Sequence, residues 1–142
     1  MTAAIGNRLL TSELEDLLNR DFGCDSAWFA AAAEQCRTGI AEGWLGTREF
    51  GGVKFGRAIH PGGVTSHFSV DVVEMNDVVG PHHSHPTGEI DLIMPIEGDA
   101  RFDGRPAGWL VCPPGSAHPP TVSGGRALVL YLLPEGRIDF TQ

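Results

Sequence analysis

Two stretches of this 142-residue chain predict both its fold and its chemistry. Residues 80–98 read GPHHSHPTGEIDLIMPIEG, and residues 108–118 read GWLVCPPGSAH. Together they supply three histidines and one glutamate as candidate ligands: His83, His85, Glu89 and His118. Three imidazoles and one carboxylate are a suitable first shell for a divalent transition metal. These four residues are therefore a candidate metal site.

The spacing of the four residues supports a shared site. In a β-strand, residues two apart point to the same face, so His83 and His85 can reach one ion together. Residues 86–88, Pro-Thr-Gly, predict a turn that brings Glu89 in from the next strand. A Pro-Pro-Gly turn precedes His118 and would let it arrive from across a barrel. The alternative is a polar cluster of loop histidines, with His118 as a turn residue.

Composition and charge exclude several classes of protein. The formal net charge is −8 with neutral histidines, which argues against a nucleic-acid partner because phosphate binding needs a basic surface. Three cysteines without a C-x-x-C motif predict free thiols in a reducing, cytoplasmic setting. The N-terminus lacks the blocks of a signal peptide, and no apolar run approaches the roughly 20 residues of a membrane helix. We therefore expect a cytoplasmic protein without a membrane partner.

The hydrophobic pattern predicts one domain with two parts. Residues 1–43 predict a helical segment, with a first helix beginning near Thr11 and a second one capped by Asp25 or Ser26 and stopped by Gly43. Residues 44–142 predict a barrel of short strands separated by Gly, Pro and Asp. Eight strand segments are expected: 44–50, 53–59, 67–75, 89–97, 100–103, 108–112, 120–122 and 126–133.

The segment that follows Glu89 has two unlike faces. Four apolar residues alternate along it: Ile90, Leu92, Met94 and Ile96. If Glu89 points inward to a metal, this apolar face points outward and needs a cover. The N-terminal helices or a second copy of the chain would provide it. We therefore expect a helical cover or a homodimer.

Three further residues are candidates for chemistry. Asp91 follows Glu89 by two positions and should face the same interior, where a buried carboxylate has a perturbed pKa and can move protons. Asp91 would otherwise orient a histidine ligand. His82 points away from the pair and is either an acid or base at the mouth of the site or a solvated residue. Arg57 is the arginine chosen to bind a substrate carboxylate, because it lies in a predicted strand.

The two stretches resemble the two sequence motifs of the cupin superfamily. The first motif is His-x-His, three or four residues, Glu and a later Gly, which residues 83–85, Glu89 and Gly98 match. The second is Gly, a short run, Pro-x-Gly, two residues and His, which Gly108 and residues 113–118 match. The resemblance implies a mainly β fold, a cupin-type double-stranded β-helix or jelly-roll barrel, behind the N-terminal α-helical segment.

Longer blocks are similar to the small cupin-like 4-hydroxylaminobenzoate lyases: VVEM at 72–75, PHHSHP at 81–86, GEIDL at 88–92, EGDARFDG at 97–104 and PPGSAH at 113–118. The resemblance implies a lyase that forms 3,4-dihydroxybenzoate and ammonia in nitroaromatic degradation. It also implies one divalent metal ion as Lewis acid, which this ligand set leaves open among Fe, Mn, Ni, Co and Zn. Its substrate would be a small aromatic carboxylate.

The same resemblance gives roles to three aromatic residues. Trp109, Phe102 and Tyr131 could form aromatic walls around the substrate, although core packing explains them equally well. Two other functions remain open from the sequence. One is a metal-dependent cupin dioxygenase of a small aromatic acid, which would use the same His and Glu set with oxygen. The other is a non-catalytic cupin that binds a small molecule.

Overall fold

Two helices precede nine strands in the computed structural model, which describes Ile5 and residues 9–50, 52–62 and 67–140. The helices are α1 (Ser12–Phe22) and α2 (Ala27–Glu42). The strands are β1 (Arg48–Phe50), β2 (Val53–Ile59), β3 (Phe68–Val79), β4 (His83–His85), β5 (Glu89–Phe102), β6 (Gly108–Cys112), β7 (Ser116–His118), β8 (Thr121–Pro134) and β9 (Asp139–Phe140). The remainder of the predicted helical segment, residues 1–4 and 6–8, lies outside the described residues. No helix in the described ranges has the length and hydropathy needed to cross a membrane.

Local sequence signals set the ends of α2. The hydroxyl of Ser26 accepts a hydrogen bond from the Phe29 amide at 3.1 Å, which makes Ser26, rather than Asp25, the N-cap. Gly43 ends the helix with φ 82°, a left-handed conformation that glycine adopts without a Cβ clash. Thr11 occupies the N-cap position of α1 but makes no side-chain capping bond there.

The strands form two antiparallel sheets. The large sheet has the order β1-β2-β3-β8-β5-β6, and the small sheet has the order β7-β4-β9. The mainly β fold behind two helices confirms the predicted fold class. Two long strands, β5 and β8, pair along much of their length, whereas the sequence predicted two shorter strands for each. The register shifts between Pro95 and Glu97 and again between Gly98 and Arg101, so Gly98 marks a bulge rather than a strand end. The predicted first strand, 44–50, begins only at Arg48.

The outer face of the large sheet is covered by the helices. Ile90 and Leu92 are fully buried, and both lie in a cluster with Leu14 and Leu18 of α1. Met94 belongs to the same cluster, and the partly buried Ile96 packs against it. The predicted cover of this face by helix is therefore confirmed. The homodimer stays a prediction.

Side chains of α1 also occupy the open edge of the large sheet. Trp109, in the edge strand β6, donates its amide to Asn19 at 2.8 Å, and its carbonyl accepts from the Asn19 amide group at 3.1 Å. The Val111 amide donates to Glu15 at 3.0 Å. These side chains replace the partner strand that an edge otherwise lacks. They hold the helices against the barrel in one position.

Replacing Asn19 with alanine tests this docking. We expect Asn19→Ala to lower the free energy of unfolding by about 1–3 kcal/mol, because two backbone groups of Trp109 lose their partner. Asn76→Ala, at an exposed position on β3, is the control and should stay within roughly 0.5 kcal/mol of the parent. Urea denaturation measures both. Equal stabilities for the two variants would show that the side-chain bonds do not hold α1 in place.

Candidate metal centre

The structure brings the four predicted ligands to one point. His83 and His85 lie on β4, Glu89 begins β5, and His118 ends β7. Strands β4 and β7 pair so that His83 lies directly opposite His118. One ligand atom from each of the four residues lies within 4.8 Å of the others. The geometry therefore matches the arrangement that their spacing predicted.

One carbonyl oxygen ties both turns of the site to β4. The His85 carbonyl accepts from the Gly88 amide at 3.1 Å and from the Gly115 amide at 2.8 Å. Gly88 has φ 89°, and a Cβ on it would stand 2.9 Å from the Cys112 carbonyl, so only glycine fits. The turn before Glu89 and the turn before His118 are thus anchored to the same histidine.

The distances between ligand atoms fit a single ion. The Glu89 Oε2 atom lies 3.4 Å from His85 Nε2 and 3.6 Å from His118 Nε2. The His83 Nε2 atom lies 3.9 Å from Glu89 Oε1 and 3.1 Å from His118 Nε2. Ligands that each stand about 2.0–2.2 Å from one ion lie roughly 3–4 Å from one another. The observed separations fall in this range.

Several polar atoms of these groups are buried without a hydrogen-bond partner. Glu89 and His85 are fully buried, and His83 is nearly so. Neither carboxylate oxygen of Glu89 and neither ring nitrogen of His85 forms a hydrogen bond with any described residue. A buried carboxylate without donors is strongly unfavourable unless a cation compensates it. The four residues therefore fit a divalent transition metal by charge, donor type and geometry.

His83 and His118 differ in the group that contacts Nδ1, the ring nitrogen directed away from the cluster. His83 Nδ1 lies 3.3 Å from the Pro81 carbonyl, and His118 Nδ1 contacts the Asp103 carboxylate. Both contacts direct Nε2 toward the cluster. Asp103 was not among the residues that the sequence singled out. The sequence does contain an Asp-Gly pair at residues 103–104, at the end of a predicted strand. Such a pair indicates a hairpin turn, but it does not indicate a contact with a distant histidine.

The three imidazoles also differ in charge. Burial lowers the pKa of His83 to about 4 and also lowers the pKa of His85, against the opposing pull of Glu89. Burial acts in the same direction on His118, but the hydrogen bond with Asp103 and the negative charges of Asp103 and Glu89 outweigh it and raise its pKa to about 9. Near neutral pH the metal-free chain thus offers two neutral imidazoles and one cation opposite the carboxylates.

Asp91 lies inside the barrel beside Glu89, as its position two residues after Glu89 on the same strand predicted. It is fully buried, and its oxygens form no hydrogen bond with a described residue. Burial, followed by the charge of Glu89, raises the pKa of Asp91 well above its ordinary value, which favours the protonated, neutral form of the group. Cys112 lies within 4.8 Å of both carboxyls, and burial raises its pKa to about 12. Cys112 is therefore a thiol rather than a thiolate nucleophile.

A cavity of about 350 Å³ reaches the cluster at His83. Its lining is mostly apolar and includes one arginine and four aromatic rings: Arg57, Phe50, Phe55, Tyr131 and Phe140. Two residues chosen from the sequence for substrate binding, Arg57 and Tyr131, therefore line a space that opens onto a candidate ligand.

The structure does not bring Trp109 to this cavity. Trp109 is buried among the helices, where its ring lies 5.7 Å from that of Trp28 and its Nε1 donates to the Phe22 carbonyl at 3.0 Å. Core packing was the alternative role for Trp109, and these contacts explain its burial. His82 is half-buried and directly precedes β4. Its contribution as an acid or base stays a prediction.

Four polar residues form a row across the inner face of the large sheet. The register pairs Arg57 with Asp71, Asp71 with Tyr131, and Tyr131 with Asp91. Directly opposite residues in antiparallel strands have Cβ atoms about 4.5–5.5 Å apart. The row therefore runs from the arginine to the acid beside the cluster, and three of its members were chosen separately from the sequence.

The fold and the site together define the class of protein. The two antiparallel sheets, with a His-x-His pair, a glutamate and a later histidine gathered at one interior point, place the chain among the cupins. The chain belongs to the 4-hydroxylaminobenzoate lyase family, whose model matches residues 1–140.

Two relatives are named 4-hydroxylaminobenzoate lyase. One, from Pseudomonas putida, is 30% identical over 155 residues, covering 97% of this chain and 88% of the relative. The other, from Nocardioides sp. (strain LMS-CY), is 32% identical over 143 residues, covering 94% and 85%. Among solved structures, oxalate oxidase in complex with glycolate aligns with a TM-score of 0.48 at 21% identity, over 67% of this chain and 58% of that chain.

Removing one ligand tests the metal centre. We expect the parent chain to bind one divalent ion, and His85→Ala to weaken binding by more than the roughly 10–100-fold that loss of a supporting residue costs. Elemental analysis and competition with a chelator measure this.

His60→Ala, at an exposed histidine outside the cluster, is the control and should bind metal like the parent. Retention of full affinity by His85→Ala, or an equal loss in His60→Ala, would contradict the assignment of the site.

Proposed function

We propose that this chain is a metal-dependent lyase that converts 4-hydroxylaminobenzoate and water to 3,4-dihydroxybenzoate and ammonia. The observation that carries the proposal is a buried cluster of three histidines and a glutamate at the wall of an apolar, arginine-containing cavity. Membership of a family named for this reaction supports the choice of substrate.

The proposed reaction is balanced without any external oxidant or reductant. The N–O bond breaks, its oxygen leaves as water, and nitrogen accepts two electrons. The aromatic ring gives up these electrons as water oxygens form two C–O bonds, one at the carbon that loses nitrogen and one at the neighbouring carbon that loses its hydrogen as a proton. The C–N bond breaks and nitrogen leaves as ammonia, so that substrate plus one water equals the two products. Neither oxygen nor a nucleotide cofactor is required, and the sequence shows neither G-x-G-x-x-G nor a P-loop.

The cluster would hold the ion that assists bond cleavage. His83, His85, Glu89 and His118 are the residues that would bind it. When bound, a divalent transition metal supplies Lewis acidity toward the hydroxylamino oxygen. Glu89 lowers the net charge of such a site by one.

Asp91 is suited to move a proton at this site. Burial and the charge of Glu89 raise the pKa of its carboxyl and so favour the protonated form, which can donate a proton to the departing oxygen. Tyr131, opposite Asp91 in the register, also keeps its proton, because burial and the nearby carboxylates raise its pKa. The wall next to the cluster thus consists of proton donors rather than further anions.

Arg57 is suited to bind the ring carboxylate. Its Nε and Nη2 atoms donate to Asp71 at 2.8 and 3.3 Å, and Nη2 also donates to the Gly136 carbonyl at 3.1 Å. Its other terminal nitrogen, Nη1, bonds to no described residue and remains available to an anion in the cavity. Because the guanidinium is already held in place, binding costs little side-chain entropy. Phe55 and Phe140 provide apolar contact for the ring.

An anaerobic assay tests the reaction. Metal-loaded protein with 4-hydroxylaminobenzoate should release ammonia and form the catechol in equal amounts, and the metal-stripped protein should form neither. His60→Ala should retain activity. Oxygen consumption would instead favour a dioxygenase, and binding without any product would favour a binding module; either result would overturn the proposal.

The same assay separates the role of Asp91 from substrate binding. Asp91→Asn should lower kcat by roughly 10²–10⁴-fold, because proton transfer matters chiefly in the transition state. Its KM should change only a few-fold. A variant with unchanged kcat would exclude Asp91 as the proton donor.

A further inference from the structure

A tight hairpin turn brings Asp103 to the metal centre from outside the two sequence motifs. Phe102 and Arg105 exchange backbone hydrogen bonds of 2.8 and 2.9 Å around Asp103 and Gly104. Both central residues have positive φ, 50° and 79°. This is the geometry of a two-residue hairpin turn, for which Asp-Gly and Asn-Gly are the preferred pairs. The turn alone would therefore accept asparagine as readily as aspartate.

The carboxylate of Asp103 accepts from two different donors. Its Oδ1 atom accepts the Thr121 amide at 2.9 Å, and its Oδ2 atom contacts His118 Nδ1. The Asp103 amide also donates to the Thr121 carbonyl at 2.8 Å, which fastens the turn to the start of β8. Each carboxylate oxygen of Asp103 thus has a partner. The partner of Oδ2 is Nδ1 of His118, the ring nitrogen that faces away from the cluster.

With Asp103 at Nδ1, one ring proton of His118 belongs on Nδ1. The second proton, which makes the metal-free ring a cation, lies on Nε2, and its loss when an ion binds leaves an Nε2 lone pair directed at the cluster, where His83 Nε2 lies 3.1 Å away and Glu89 Oε2 lies 3.6 Å away. A metal ligand needs this lone pair. His83, which lies opposite His118 on β4, has the neutral Pro81 carbonyl rather than a carboxylate next to its Nδ1.

We propose that Asp103 is a positioning residue that fixes the tautomer and the ring orientation of His118 for metal binding. This inference rests on the metal centre of the proposed function. It reaches beyond the four ligands, because it assigns a role to a turn residue that only the folded chain brings near them.

Asparagine at this position separates the positioning role from the turn. Asp103→Asn keeps the Asn-Gly turn and can still accept the Thr121 amide through its oxygen. Its NH₂ group would then face His118 Nδ1 and favour the tautomer with the proton on Nε2, where the ion should bind. If the amide turned over, its NH₂ would face the Thr121 amide, donor against donor. Asparagine cannot satisfy both partners.

The experiment measures Zn²⁺ affinity by competition with a chelator. Asp103→Asn should weaken Zn²⁺ binding about 10–100-fold. Asp77→Asn is the matched control, because Asp77 also has positive φ, 45°, and accepts a backbone amide, that of Gly124 at 2.7 Å. It removes the same charge without contacting a histidine of the cluster, and its affinity should match the parent. Equal affinity of Asp103→Asn and parent, or an equal loss in both variants, would overturn the inference.

A second measurement does not depend on any variant. In the Zn²⁺-loaded parent, long-range ¹H–¹⁵N spectra should show His118 protonated on Nδ1 and ligated through Nε2. A proton on Nε2 would refute the role of Asp103 while leaving the metal centre intact. Failure of the parent to bind Zn²⁺ would instead remove the metal centre, and the inference with it.

Discussion

The structure depends on a carboxylate, Glu89, that is buried without a hydrogen-bond donor among the described residues. Removing such a group from water is costly, and only nearby positive charge compensates the cost. Three imidazoles surround it, of which only His118 is a cation near neutral pH in the metal-free chain. A divalent ion at the centre of the four residues would satisfy the carboxylate and the free imidazole lone pairs together. The burial of the four residues inside the barrel is therefore what makes the cluster a favourable place for such an ion.

The rest of the fold holds these groups in position. The small sheet supplies the three histidines, and the large sheet supplies Glu89 at the start of β5. The carbonyl of His85 connects both turns. The helices cover the outer face of the large sheet. Asn19 of α1 also bonds to the edge strand β6, next to the site. A rigid frame of this kind favours fixed ligand geometry, and the cavity beside it admits a small ring.

Much of the fold and of the candidate site could be predicted from the sequence. The alternation of side chains along a strand and the residues that form turns are local features, which a sequence shows directly. The two-residue spacing of His83 and His85 implied a shared face, and the apolar alternation after Glu89 implied a cover. Continuity of β5 through Gly98 was not predicted, because a bulge and a strand end carry the same glycine signal. The contact of Asp103 with His118 depends on register between distant strands, which no local pattern contains. The place of Trp109 likewise follows from where α1 docks.

X-ray absorption spectroscopy of the protein loaded with one equivalent of Zn²⁺ tests the central claim most directly. The account predicts a first shell at about 2.0–2.2 Å with the multiple-scattering signature of three imidazoles and one carboxylate oxygen. Substitution of His118 should reduce the imidazole number from three to two. A shell with a single imidazole, or one dominated by sulfur, would place the ion elsewhere and contradict the account.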